Sequence, residues 1–366
     1  MVGTVLSPLD DLPIHQIAEP VAAVGTSDRN FYDRYYFNLF CCDEPLFVTA
    51  GLGQYPNLGV VDAFAAATVG GTQYVVRTSR ELDDRGDTTA GPISVEVLDG
   101  LQRLRLAVGG DGPLRLDATW TAAIPAFEEA RHINRRGPRL TTNTCRFAQT
   151  GYWEGLLEVD GRPFTMTPDR WWGGRDRSWG VRPVGEAEPA GRWAGGDRGF
   201  LWLYSTMQFA EFTIVCIVQE DRAGGRSLEQ TARIWPAGTG RPPESLGPVA
   251  HALEFEPGTR RVAHATLTFH PSPGDTLTVE VDPVGASYLA LGTGYGMDAD
   301  WRHGMYQGPL AVQHLVFDLH DAATLARTYG LVDNLARFEA AGLTGYGLFE
   351  NAVLGHNDRY GFGGRR

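Results

Sequence analysis

Apolar and polar residues alternate with period 2 along most of this chain, and glycine- or proline-bearing turns interrupt the alternation every ~8–12 residues. Successive side chains of a strand point to opposite faces, so such a pattern is sorted by antiparallel sheet with one wet face. In Leu101–Val108, Leu104, Leu106 and Val108 fall on one face and Arg103 and Arg105 on the other. A Gly-Gly-Asp-Gly-Pro turn follows, and then Leu114, Leu116, Ala118 and Trp120 alternate in their turn. Gly155–Val159, the Asp160-Gly161 turn and Pro163–Thr167 predict a second hairpin. Asp-Gly suits a two-residue hairpin turn, whose central residues both need φ > 0. Val262–Phe269 and Thr276–Val281, joined through Pro-Ser-Pro-Gly-Asp, predict a third.

A chain of 366 residues is too long for one small domain. Many short strands with frequent turns predict an all-β fold of two tandem lipocalin-like barrel or sandwich units. The expected boundaries are 1–185 for the first unit, 186–198 for a linker rich in Gly, Pro and Ala, and 199–366 for the second. Helical spacing is scarce; Leu325, Tyr329, Val332, Leu335 and Phe338 predict one helix over Ala322–Ala341. A short echo links the halves. Thr150-Gly151-Tyr152 recurs as Thr344-Gly345-Tyr346, and Gly174–Val181 aligns with Gly355–Phe362. If the echo is a duplication, each copy of the second motif forms the strand that closes its unit; the alternative is chance matching in a glycine-rich chain.

Composition excludes several functions. The net charge of −12 disfavours nucleic acid and anionic membrane surfaces, which both need clustered positive charge. All 32 basic residues are arginine, so Schiff-base chemistry and a P-loop are out of reach. Cys41, Cys42, Cys145 and Cys216 form no CxxC pair, and paired histidines such as His314 and His320 stand too far apart along a strand to share an ion, so no metal is expected. Pro56 spoils the only glycine-rich stretch resembling a dinucleotide loop, and no G-x-S-x-G elbow occurs. No cofactor is expected. The start of the chain reads neither as a signal peptide nor as a span, and no apolar run reaches 18 residues, so a soluble cytoplasmic protein with no integral membrane association is expected. The oligomeric state is left open.

Candidate chemistry concentrates in three blocks. On a strand, Asp176, Ser178, Gly180 and Arg182 share one face, while Arg175, Arg177, Trp179 and Val181 share the other. Asp176 and Arg182 then face a cavity with Trp179 at its end, or the charges pin a corner of the fold. Asp300, Trp301, His303 and Tyr306 cluster after a glycine-rich loop, where Asp300 is a candidate acid and His303 or Tyr306 its proton partner; an ordinary exposed loop is the alternative. Trp202 and Tyr204 share a strand face with Phe200, and Glu350 and His356 near the C-terminus are further candidates for a binding cavity.

The runs GYWEGLLEVDGRPF…GGRDRSWGVRP (Gly151–Pro183), WRHGMYQG (Trp301–Gly308) and LFENAVLGHNDRYGF (Leu348–Phe362) resemble the AttH and hydroxyneurosporene-synthase-like superfamily, in a branch distinct from the carotenoid hydratases themselves. The resemblance spans nearly the whole chain and implies tandem lipocalin-like domains. It also implies a greasy cavity with one or two acids and no organic cofactor, as in relatives that hydrate carotenoids or cyclise polyketide and terpenoid skeletons. The expected function is a cofactor-independent acid/base enzyme that protonates a hydrophobic small molecule, leading to hydration, isomerisation or cyclisation. The alternatives are a non-catalytic carrier or sensor of a lipid-like ligand, and a protein whose halves only present a surface.

Overall fold

The computed structural model describes residues 6–14, 17–189, 199–296, 298–328 and 330–364. It is nearly all β: among the described residues the one α-helix is the single turn Ala322–Leu325. Two antiparallel sheets carry the chain, each curled around an apolar core of its own, as in two lipocalin-like units. A third apolar layer, including Tyr36, Phe40, Val215, Ile217 and Leu348, fills the space between them. Among the described residues, no helix is long and apolar enough to cross a membrane.

All three predicted hairpins form, because each is specified locally. Arg103–Val108 pairs with Leu114–Ala122, and Val262–Phe269 with Leu277–Ser287. In the hairpin between them in sequence, Asp160 and Gly161 adopt left-handed φ values of 50° and 76°, as a tight two-residue turn demands.

The topology repeats even where the sequence echo does not. In the first sheet the opening strand Phe31–Cys41 pairs with the last strand Trp171–Val181, which pairs in turn with Arg139–Val159. In the second, Phe200–Gln208 pairs with Leu343–Leu354, which pairs with Leu331–Ala340. Each half therefore closes by pairing its first strand with its last. The counterpart of Trp171–Val181 is Leu343–Leu354, not Gly355–Phe362, which is a turn closed by hydrogen bonds between Asn357 and Phe362. The two Thr-Gly-Tyr runs likewise lie in non-equivalent strands, so the residue-level echo is fortuitous.

The expected helix over Ala322–Ala341 is also corrected. Beyond its first turn, and past Tyr329, which lies outside the described residues, Gly330 takes φ 70° and Leu331–Ala340 is a strand. That strand is covered on both faces and flanked by partners on both edges, so its buried positions show no period of 2. Part of the expected linker, 190–198, lies outside the described residues. One strand crosses between the halves: Leu310–Asp318 extends the edge of the first sheet alongside Thr72–Glu81.

Inside the first unit, the N-terminal segment is tied down by charge. Arg175 pairs with Asp11 and Arg177 with Asp33, all four side chains fully buried. Tyr35 donates its hydroxyl hydrogen to the Asp11 carbonyl. The corner-pinning role considered for the motif thus belongs to Arg175 and Arg177, while Asp176, one residue out of phase, faces the other way.

Candidate active site

Strands of both sheets present alternate side chains to the space between them. Phe31–Cys41 contributes Tyr32, Arg34 and Tyr36; Trp171–Val181 contributes Asp176 and Ser178; Arg139–Val159 contributes Thr144 and Arg146. Opposite them, Phe200–Gln208 supplies Phe200 and Trp202, and Leu343–Leu354 supplies Glu350 and Ala352. They enclose a cavity of about 370 Å³. Phe200, Trp202 and Tyr204 stack as a ladder, with ring centroids 6.5 and 6.1 Å apart. The cavity continues outward into a cleft with which it shares Arg182, Gln219 and Tyr295.

The registers place acids at corresponding positions of the two halves. Tyr36 stands opposite Asp176 in the first sheet, and Tyr204 opposite Glu350 in the second. Each tyrosine reaches across the interface to a carboxyl group of the other half. Tyr36 donates to Asp333, and Tyr204 donates to Glu129 Oε1 at 3.0 Å. Asp333 and Glu350 are themselves cross-strand neighbours. Four carboxyl groups, two from each sheet, therefore converge on one interface.

Burial dominates their protonation. It pushes Glu350 up to about 7, against the partial offset of the Arg146 and Arg182 guanidinium groups and the Trp202 indole. Asp333 is held well above the usual carboxylate range by burial and then by the charge of Glu350. Glu129 rises to about 7 through burial, although Arg146 stands 3.4 Å from it. Asp176 is raised by burial and pulled back by surrounding arginines, and no hydrogen bond to its carboxyl forms among the described residues.

Arg34 shows how the wall is built. Its side chain lies across Gly51 and Gly53, where no side chain obstructs it, to reach Tyr55 Oη at 2.6 Å and Asp62 at 3.2 Å. A Cβ added at Gly51 would sit 2.9 Å from Arg34 Nη2 and 2.8 Å from the Phe64 ring. Asp62 in turn accepts from the Gly304 N–H at 2.6 Å, locking the 288–304 loop onto the first sheet.

The structure brings some of the expected residues together and separates others. Asp176, Arg182, Trp202 and Glu350 line the cavity, with Tyr204 next to Trp202 in its wall. Trp179 lies on the opposite strand face, edge-on to Phe147. The Trp301 block does not assemble. Asp300 is exposed, and its carbonyl accepts from Gln307. Tyr306, 57% exposed, donates to Glu81 at 2.7 Å. Trp301 is buried beneath the Arg77 guanidinium, 4.3 Å from its ring centroid. His303 is buried at the edge of the outer cleft, where Nε2–H donates to the Thr293 carbonyl at 2.8 Å. Burial, Arg34 and Arg182 hold its imidazole well below the usual histidine range. His356 is half-buried beside the C-terminal turn. Tyr36, Arg146, Glu129 and Asp333 were not singled out from the sequence. The alternation Tyr32, Arg34, Tyr36 was the available signal for the first of them.

A family model described as a family of unknown function (DUF8625) matches residues 6–363. Among solved structures, the fold is similar to an AttH-like protein from Nitrosomonas europaea, with a TM-score of 0.53 and 13% identity over 95% of this chain and 99% of that one. It is also similar to kievitone hydratase from Nectria haematococca, with a TM-score of 0.54 and 14% identity over 90% of this chain and 92% of that one. The resemblance to the AttH-like superfamily holds at the level of fold. In the comparison with curated proteins, none matches this sequence.

Proposed function

The chain belongs to the DUF8625 family, and we propose that it is an acid/base enzyme acting on a hydrophobic, unsaturated small molecule held between its two sheets. The observation that carries this reading is the pair of carboxyl groups on one cavity, Glu350 raised to about 7 and Asp176 raised with no hydrogen bond to hold it. A structural carboxylate would be expected to be fully paired, because an unpaired buried acid destabilises the fold. Perturbed acids in a cleft are what proton transfer requires.

In this reading Glu350 is the proton donor. A group that titrates near 7 holds its proton often enough at neutral pH to give it away, and its conjugate base can recover one from solvent. Protonation at an alkene or enone carbon leaves positive charge on the neighbouring carbon, which the ladder of Phe200, Trp202 and Tyr204 faces. Asp176 then completes the reaction as base. It takes a proton from an attacking water in hydration, or from an adjacent carbon in isomerisation or after cyclisation. Asp333 positions Glu350: its own proton, kept by burial, holds a second negative charge away from the donor. Among proteins of similar fold, one is named a hydratase, which supports this class of reaction.

The test is turnover in deuterated water of a panel of isoprenoid and polyketide-like alkenes and enones, followed by mass spectrometry for added water or incorporated deuterium. Glu350→Gln and Asp176→Asn, each checked for fold, are expected to lose about 10²–10⁴-fold in rate. Full activity in both would overturn the assignment. If native mass spectrometry instead recovers one ligand that the protein never alters, the chain is a carrier.

A further inference from the structure

Three arginines line the cavity, and two of them are matched by a carboxylate. Arg146 stands 3.4 Å from Glu129, and Arg34 stands 3.2 Å from Asp62. Arg182 differs. Its guanidinium carbon sits over the Tyr32 ring, 4.2 Å from the centroid, with the Tyr295 ring at 6.0 Å. No carboxylate pairs with it, and no hydrogen bond from its side chain forms among the described residues.

Stacking on a ring occupies the face of a guanidinium and leaves its in-plane N–H groups free. Those donors are arranged to take two oxygens of a carboxylate at once. Arg182 lines both the inner cavity and the outer cleft, so whatever passes from one to the other passes its side chain. Arg146 and Arg34 each have a carboxylate at hand, so Arg182 is the cavity-lining arginine whose in-plane donors are left for a ligand.

We propose that Arg182 anchors a carboxylate on the ligand, so that the protein acts on an elongated apolar acid whose unsaturated body extends inward to Glu350 and Asp176. The inference rests on the reading of the inter-sheet cavity as the substrate site. The placement fits it. Arg182 directly follows the strand Trp171–Val181, lines the same cavity as Asp176 and Glu350, and its charge acts on both acids. A neutral hydrocarbon would leave the guanidinium desolvated and unmatched, whereas an apolar carboxylate satisfies it.

Matched pairs test this, with farnesoic acid against its primary amide as the probe, titrated by tryptophan fluorescence at pH 8, where the acid is ionised. Wild-type protein is expected to bind the acid at least tenfold more tightly than the amide. Arg182→Gln is expected to abolish that preference while changing amide affinity less than twofold, and Arg182→Lys to keep part of it. An acid that binds no better than its amide, including one that does not bind at all, overturns the proposal, as does a preference that survives in Arg182→Gln. Binding needs no proton transfer, so Glu350→Gln is expected to retain the acid preference. A proton donor wrongly assigned would show in turnover and leave this result untouched.

Discussion

Replacing Glu350 by glutamine should stabilise the protein at alkaline pH and do little at acid pH. Glu350 titrates at about 7 in the folded protein, against an ordinary value of 4.5. Between those two values the folded protein keeps a proton that the unfolded chain has released, so the wild type loses stability as pH rises through that window. A shift of this size is worth about 3 kcal/mol once pH passes 8, and under about 1 kcal/mol at pH 5. Glutamine cannot ionise and escapes the penalty, while any change in packing or hydrogen bonding is the same at both pH values. For a chain of this length an unfolding entropy of about 2.1 cal/mol/K per residue turns 1 kcal/mol into little more than 1 °C. The melting temperature of Glu350→Gln relative to wild type should therefore rise by about 3 °C between pH 5 and pH 8. Circular-dichroism melts of both proteins at the two pH values measure it. A difference that is flat with pH, or that moves the other way, would refute the claim that burial outweighs the neighbouring guanidinium charges at this carboxyl.

Two further outcomes follow from the same electrostatics. The buried imidazole of His303 should titrate well below the usual histidine value, whereas half-buried His264, hydrogen-bonded to Asp282 at 2.9 Å and Glu280 at 3.2 Å, should titrate above it; the ring-proton shifts of the two histidines against pH decide this. Asp33→Asn should strip the counter-charge from fully buried Arg177 and from Arg85, 3.5 Å away, and lower stability at pH 7 by about 3–5 kcal/mol in a denaturant titration. A loss below about 1 kcal/mol would mean the pair is not buried as described.

What could be read from the sequence was what neighbouring residues specify. Alternation along Trp171–Val181 sorted Asp176 and Arg182 from Arg175 and Arg177 correctly, because a strand's side-chain period needs no knowledge of its partners. The hairpins were legible for a similar reason, since Asp160-Gly161 encodes its own turn. Asp333 was hidden because its strand is covered on both faces, and doubly buried strands lose the alternation that distinguishes them from helix. The Trp301 block misled in the opposite direction. Its density of rings and titratable groups reflects a loop docked on the first sheet, with His303 beside Phe64 and Tyr295, and not an assembled catalytic set. The convergence of Tyr36, Asp333, Glu129 and Tyr204 is set by how two sheets face each other. Tyr36 and Asp333 lie 297 positions apart, beyond the reach of any local pattern.

The assignment of Asp176 and Glu350 to equivalent strands also changes where chemistry is sought. An acid faced by a tyrosine recurs in each half, and the two copies meet across the cavity.

The account stands most directly on whether Glu350 carries a proton at neutral pH. Infrared difference spectra of wild type against Glu350→Gln, recorded from pH 5 to pH 9, would isolate its carboxyl stretch. The structure predicts a protonated band present at pH 5 that fades as pH rises through about 7 and is missing from the variant. A carboxyl already ionised at pH 5 would contradict the account.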